Sequence, residues 1–320
     1  MKKRNTALDI FRYVCAILVI AIHTNPFREY SSTADELIQN IARIAVPFFF
    51  ATSGYYFVER FRRNPAVVKT YLWRLFKLYL VWSGVYFILD FIKWGHTTIV
   101  GFVSNCILTF FVYGSHYHLW YMVALICAVC ITALFLRFCK EKWLIVFSVA
   151  IVMARVLPLG IVTDVANSNF FAGLPFFTVG LVVRKIEAVS KIPSKVWLII
   201  SFAVFTLWLV LAQMQIVSRD VQTVGLYVVI LVIMLALVQN PTEKAPRMAA
   251  ACQDVSDFAY FFHPVLIEVL LPVVFSWMGL NVMETEMFLT TIVTATLAGL
   301  CSRGVRILIK NRKKGKISGA

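Results

Sequence analysis

Arg12 and His23 fall inside one apolar run, LDIFRYVCAILVIAIHT, eleven positions apart. At about 100° per residue that interval is three turns plus roughly 20°, so a helix directs both side chains to one face, roughly 16 Å apart along its axis. A guanidinium and an imidazole are costly inside hydrocarbon, and there they are read as lining a functional interior. His23 stands near the outer end of the run, before Thr24, Asn25 and Pro26, where a half-exposed imidazole can take a proton from a substrate hydroxyl.

Other polar side chains fall at similar depth: Arg43, Arg74, Lys77, Arg155, and His263 with Glu268, while Asp9 precedes Arg12 at the inner end of the first run. Arg74 and Lys77 are three apart and share a helix face. Paired cations there can hold an anion, and long basic side chains near a helix end also snorkel toward headgroups. His263 precedes Pro264, whose missing N–H frees a carbonyl one turn back that the imidazole can help satisfy. Cys127 and Cys130 form a CxxC in an apolar run with no second pair, which reads as small buried side chains. His116 and His118 lack a neighbouring carboxylate or thiolate ligand, so no metal is expected. No GxSxG elbow is present, and Ser53-Gly54-Tyr55 reads as close helix packing.

The elements that must position these groups are membrane helices. The chain is 60% hydrophobic and 15% charged, with mean hydropathy +0.80, against roughly 25% charged in soluble domains. The first run is followed by no small-residue cleavage site and is read as a spanning helix, not a cleaved signal. Apolar runs near 8–25, 37–58, 71–92, 118–136, 143–160, 170–183, 196–217, 221–238, 256–277 and 287–309 are long enough to span. The run near 99–112 is short and followed by the polar stretch 113–118, so it is read as interfacial or re-entrant. With the N-terminus inside, the inner segments hold 23 of the 31 Lys and Arg and the outer segments only Arg28, Lys93 and Arg219. An eleventh crossing at 99–112 reverses that bias. The fold class expected is therefore all-α integral membrane, with ten transmembrane helices, both termini cytoplasmic, and one polytopic domain over 1–320. The net charge of +15 is explained by basic inner loops facing an anionic leaflet, so membrane lipids are expected partners and nucleic acid is not. The tail RILIKNRKKGKISGA reads as a topology anchor.

With its arginine, ten intervening residues and histidine in the first helix, the chain resembles the acyltransferase-3 family of integral membrane acyltransferases. The resemblance continues through VPFFFATSGYYF at 46–57, HLWYM at 118–122, FFAGLPFFTVGLVVRK at 170–185 and VSDFAYFFHP at 255–264. It implies transfer of an acyl group, often acetyl, from a cytoplasmic acyl-coenzyme A to a hydroxyl of a cell-envelope glycan or related acceptor, in a bacterial inner membrane. By the same analogy His23 is the catalytic base or transient acyl carrier and Arg12 binds or positions the donor. Family members carry two arginines two residues apart on the third helix for the donor phosphates. Here the pattern is Arg74-Leu75-Phe76-Lys77, and lysine offers phosphate a point charge in place of a planar fork. Arg43, His118, Arg155, His263 and Glu268 complete the candidate substrate-binding set. The chain is also similar to the membrane halves of VanT-type serine racemases. That likeness implies L-serine binding or uptake through Arg12, His23, Arg43 and Arg155, with a cytoplasmic racemase domain after residue 320.

Overall fold

A computed structural model describes residues 5–93, 103, 107–157, 160–239 and 246–317, and no strand occurs among the described residues. The helices are α1 (Thr6–Thr24), α2 (Ser32–Ala42), α3 (Ala45–Arg63), α4 (Val67–Lys93), α5 (Trp120–Phe138), α6 (Glu141–Val156), α7 (Ile161–Asn167), α8 (Asn169–Ala172), α9 (Leu174–Val189), α10 (Ser194–Gln213), α11 (Arg219–Val238), α12 (Pro246–Val265), α13 (Leu271–Trp277) and α14 (Glu284–Ile317). Two π-helical turns, Thr109–Tyr113 and Leu266–Leu270, interrupt the regular helices.

The boundaries follow local chemistry. The Asn5 side chain accepts the Leu8 N–H at the start of α1, and Asn25, in the left-handed region at φ 46°, closes it with its N–H on the Ala21 carbonyl. Leu157 is extended (φ −85°, ψ 137°) and ends α6, as expected for the residue before a proline. In α12 the internal Pro264 passes directly into the second π turn, the kind of local rearrangement that absorbs a missing N–H.

Among the described residues, eight stretches are long and apolar enough to cross a membrane: Thr6–Thr24, Ser32–Arg63, Val67–Phe91, Trp120–Phe138, Ser194–Gln213, Arg219–Val238, Arg247–Trp277 and Glu284–Ile309. The other two spans expected from sequence, 143–160 and 170–183, correspond to α6 and α9, of sixteen residues each. Sixteen residues rise about 24 Å, less than the ~30 Å hydrocarbon core. Helices α6 and α7 together meet the length and apolarity requirement but bend by 119° between them. Of the segment 99–112, residues 99–102 and 104–106 lie outside the described residues, and 109–112 belong to the first π turn.

The chain divides into two compact units, each discontinuous in sequence. The first comprises 1–46, 194–215 and 236–320. In it α1 and α12 run parallel, since Arg12 meets Asp257 and His23 meets His263. Helix α14 is antiparallel to both: Tyr13 bonds Thr296 while Pro26 accepts from Thr285, and Arg303 pairs with Asp254. Helices α2 and α10 are also antiparallel, through Asn40–Gln213 and Glu36–Gln215. In hydrocarbon such contacts depend on packing and polar pairs, because lipid is as apolar as the side chains.

The second unit comprises 47–193 and 216–235. Helices α3 and α9 run parallel and touch through Gly54 and Gly180. A Cβ on Gly54 would collide with the Phe177 carbonyl, and one on Gly180 with the backbone of Ala51 and Tyr55. Ser148 of α6 bonds Thr178 of α9 at 2.7 Å. At the helix ends, Arg184 pairs with Glu59 and Glu187 and lies 4.2 Å over the Tyr55 ring, while Glu141 takes both Arg62 and Lys185. These contacts tie α3, α6 and α9 together at one end. Helix α5 is antiparallel to α4, with Tyr86 against His118 and Ser83 bonded to Ser115 near one end and Leu72 facing Ala133 across a groove at the other.

Candidate functional site

Helical spacing put Arg12 and His23 on one face of α1, and in the structure both meet α12. The His23 and His263 rings stack, with centroids 5.3 Å apart and an interplanar angle of 21°. His263 is fully buried and His23 half-buried. The His263 Nδ1 lies 3.0 Å from the Ala259 carbonyl. A carbonyl only accepts, so Nδ1 carries a proton and donates it, which leaves Nε2 as the other ring nitrogen. That carbonyl is Ala259's. The one deprived of its usual N–H by Pro264 is Tyr260's, so the contact orients the imidazole without repairing the proline break.

Eleven residues earlier on α1, the Arg12 guanidinium donates to the Asp257 carboxylate at 2.8 Å, with side-chain exposures of 17% and 43%. Ser256 Oγ donates to the Arg12 carbonyl at 3.1 Å, and Tyr13 bonds Thr296 at 2.8 Å. The arginine backbone is thus fixed from α12 and its neighbour from α14. Sequence reasoning passed over Asp257. The available signal was an acid in the first turn of the run 256–277.

The remaining candidates of the first unit are arranged differently. Glu268 sits half-buried in the π turn after His263, and π turns concentrate at functional sites. The Arg43 guanidinium lies 5.6 Å over the Trp208 ring of α10, a cation–π contact that helps join α2 to α10.

Four candidates belong to the second unit. Arg155 donates through Nε to the Ala166 carbonyl at 2.9 Å and through Nη1 to the Tyr227 hydroxyl at 3.3 Å. It thereby satisfies a carbonyl in the last turn of α7, which needs an external donor. His118 is buried, with Nδ1 3.1 Å from the Nδ1 of His116, and the buried Tyr86 packs on both rings. One imidazole donates and the other accepts across that contact. Arg74 and Lys77 lie exposed on α4, with the Lys77 ammonium 5.2 Å over the Trp73 ring. Among the described residues, no three His, Cys, Asp or Glu side chains are grouped to hold a metal ion.

A family profile described as an acyltransferase domain matches residues 5–303 and so spans both units. An amino-acid racemase of Enterococcus faecalis is 34% identical over 154 residues, 46% of this chain and 22% of that protein. A serine/alanine racemase of Enterococcus gallinarum is 34% identical over 153 residues, 44% of this chain and 21% of that protein. The matched part is thus about a fifth of each relative's length. No solved structure matches.

Proposed function

The chain belongs to the acyltransferase-3 family, and from that membership we propose that it is a membrane-embedded O-acyltransferase, carrying an acyl group, typically acetyl, from a cytoplasmic acyl-coenzyme A to a hydroxyl of a cell-envelope glycan. The observation that carries this reading is the His23–His263 pair, in which a half-buried imidazole on the helix that also bears Arg12 stacks on a buried imidazole of α12. In the transfer, His23 takes the proton of the acceptor hydroxyl as its oxygen attacks the thioester carbonyl. The carbon–sulfur bond breaks, and the proton passes to the departing thiolate. Arg12 supplies positive charge for the donor, which it shares with Asp257. In the same unit Arg43 and Glu268 are proposed on the acceptor side.

The ten-crossing topology, with both termini cytoplasmic in a bacterial inner membrane, belongs to the same proposal. Helix directions support it. The antiparallel α4 and α5 require an even number of crossings between them, which suits a non-crossing 99–112. The parallel α3 and α9 require an odd number between them, which α4, α5 and α6 supply. The parallel α1 and α12 likewise require an odd number, and α6 and α9 must then both cross or both not.

A second reading is favoured by the names of the relatives, an amino-acid racemase and a serine/alanine racemase. Here the chain binds or takes up L-serine and serves a cytoplasmic racemase domain attached after residue 320. Arg12 and Asp257 offer adjacent charges of both signs, suited to the carboxylate and ammonium of a zwitterion. Membrane vesicles carrying the chain separate the two readings. Acyl transfer from labelled acetyl-coenzyme A to glycan supports the first, whereas labelled L-serine accumulation without transfer overturns it in favour of the second.

A further inference from the structure

Away from the histidines, the second unit carries an open apolar groove of about 640 Å³ among α3, α4 and α5, walled by Phe61, Leu72, Ala133 and Leu134 and reaching Arg137 and Phe138. Arg137 and Phe138 also line a second hollow of about 480 Å³, together with Lys140, Lys142 and Trp143. The two are continuous through one guanidinium and one ring. One is apolar and the other is cationic.

The charges in the second hollow are available. The one acid in the stretch 137–143 is Glu141, and it is engaged by Arg62 and Lys185 at 3.0 Å each. Among the described residues no carboxylate pairs with Arg137, Lys140 or Lys142, and Lys142 lies 5.4 Å over the Trp143 ring. Phe138 is 78% exposed and Trp143 53% exposed. Exposed aromatics beside cations at the ends of apolar helices mark the headgroup level of a bilayer, where uncompensated Lys and Arg attract anionic lipid.

We propose that the joined grooves seat one anionic phospholipid, with an acyl chain in the apolar groove and its headgroup phosphate against Arg137, Lys140 and Lys142. The two non-bridging oxygens of a phosphodiester can accept from more than one of the cations that line the hollow, and the open apolar wall suits a molecule that arrives from the bilayer.

Contact quenching tests this at the site itself. Trp143 emission is taken as the difference between the wild-type chain and Trp143→Phe in detergent micelles, titrated with phosphatidylglycerol or phosphatidylcholine carrying brominated acyl chains. Phosphatidylglycerol is expected to quench at concentrations lower by a factor on the order of ten. That preference should fall to near parity in the Arg137→Gln, Lys140→Gln, Lys142→Gln chain, whose changes are all at exposed positions, and should weaken as salt is added. Ala133→Phe, which fills the groove, should reduce quenching by both lipids. Equal quenching by the two lipids in the wild type, or a preference that survives the triple substitution, overturns the proposal. Displacement of the brominated lipid by palmitoyl-coenzyme A more readily than by unbrominated phosphatidylglycerol also overturns it, marking an acyl-donor seat instead.

Discussion

His263 and Asp257 bear directly on what His23 and Arg12 of α1 can do. The imidazole of His263 is oriented by Ala259 and stacked on His23, and the carboxylate of Asp257 sits on Arg12. If Arg12 receives a polyanionic donor, Asp257 is a competitor for the same guanidinium. Asp257→Asn should then lower the KM for acetyl-coenzyme A with little change in kcat, measured by initial rates in vesicles. If Arg12 and Asp257 together receive a zwitterion, the same substitution should weaken L-serine accumulation instead. The Arg12–His23 face was legible because helical periodicity is local. Asp257 was not, because a pairing across 245 residues leaves no trace in the periodicity of either helix.

At the scale of elements, α3 and α9 of the second unit approach backbone to backbone, and that approach depends on Gly54 and Gly180. Gly180→Val should destabilise the protein by about 1–3 kcal/mol through overpacking. The check is a thermal unfolding midpoint in detergent, which should fall well below that of Gly304→Val, a change at a glycine with open space around it. Close packing at Ser53-Gly54-Tyr55 could be read from the residues, since small side chains admit a neighbouring backbone. The expected span 143–160 proved shorter as a helix, Glu141–Val156, and the expected span 170–183 proved shifted along the chain, to Leu174–Val189. Leu157 is turned to extended backbone ahead of Pro158, and α9 begins only at Leu174 with Pro175 in its first turn. Hydropathy averaging crosses such breaks without registering them. The bond from Arg155 to the Ala166 carbonyl was likewise not legible, because nothing in its own helix reveals that partner.

At the scale of the whole molecule, the proposed topology draws its sidedness from the 23 to 3 division of basic residues, while the helix directions bear only on the parity of crossings, which is even for the whole chain whether α6 and α9 both cross or neither does. One depends on the charge of loops and the other on which side chains meet. Single cysteines in place of Lys2 and Lys316, probed in sealed vesicles with an impermeant thiol reagent, should both be labelled from the cytoplasmic side. Labelling from opposite sides would mean an odd number of crossings and would remove the ten-helix scheme. The helical class was the most legible feature, because long apolar runs are hard to accommodate otherwise. The division into two compact units was not legible, since each is assembled from separated stretches of chain.

The central claim is that the His23 imidazole moves a proton during acyl transfer, and paired substitutions at that residue test it most directly. His23→Ala and His23→Gln should each cut acyl transfer from labelled acetyl-coenzyme A by roughly 100- to 10,000-fold, with expression and thermal stability close to wild type. Glutamine keeps hydrogen bonding but has no basic nitrogen, so near-normal transfer by His23→Gln would contradict the account and leave His23 a binding or structural residue.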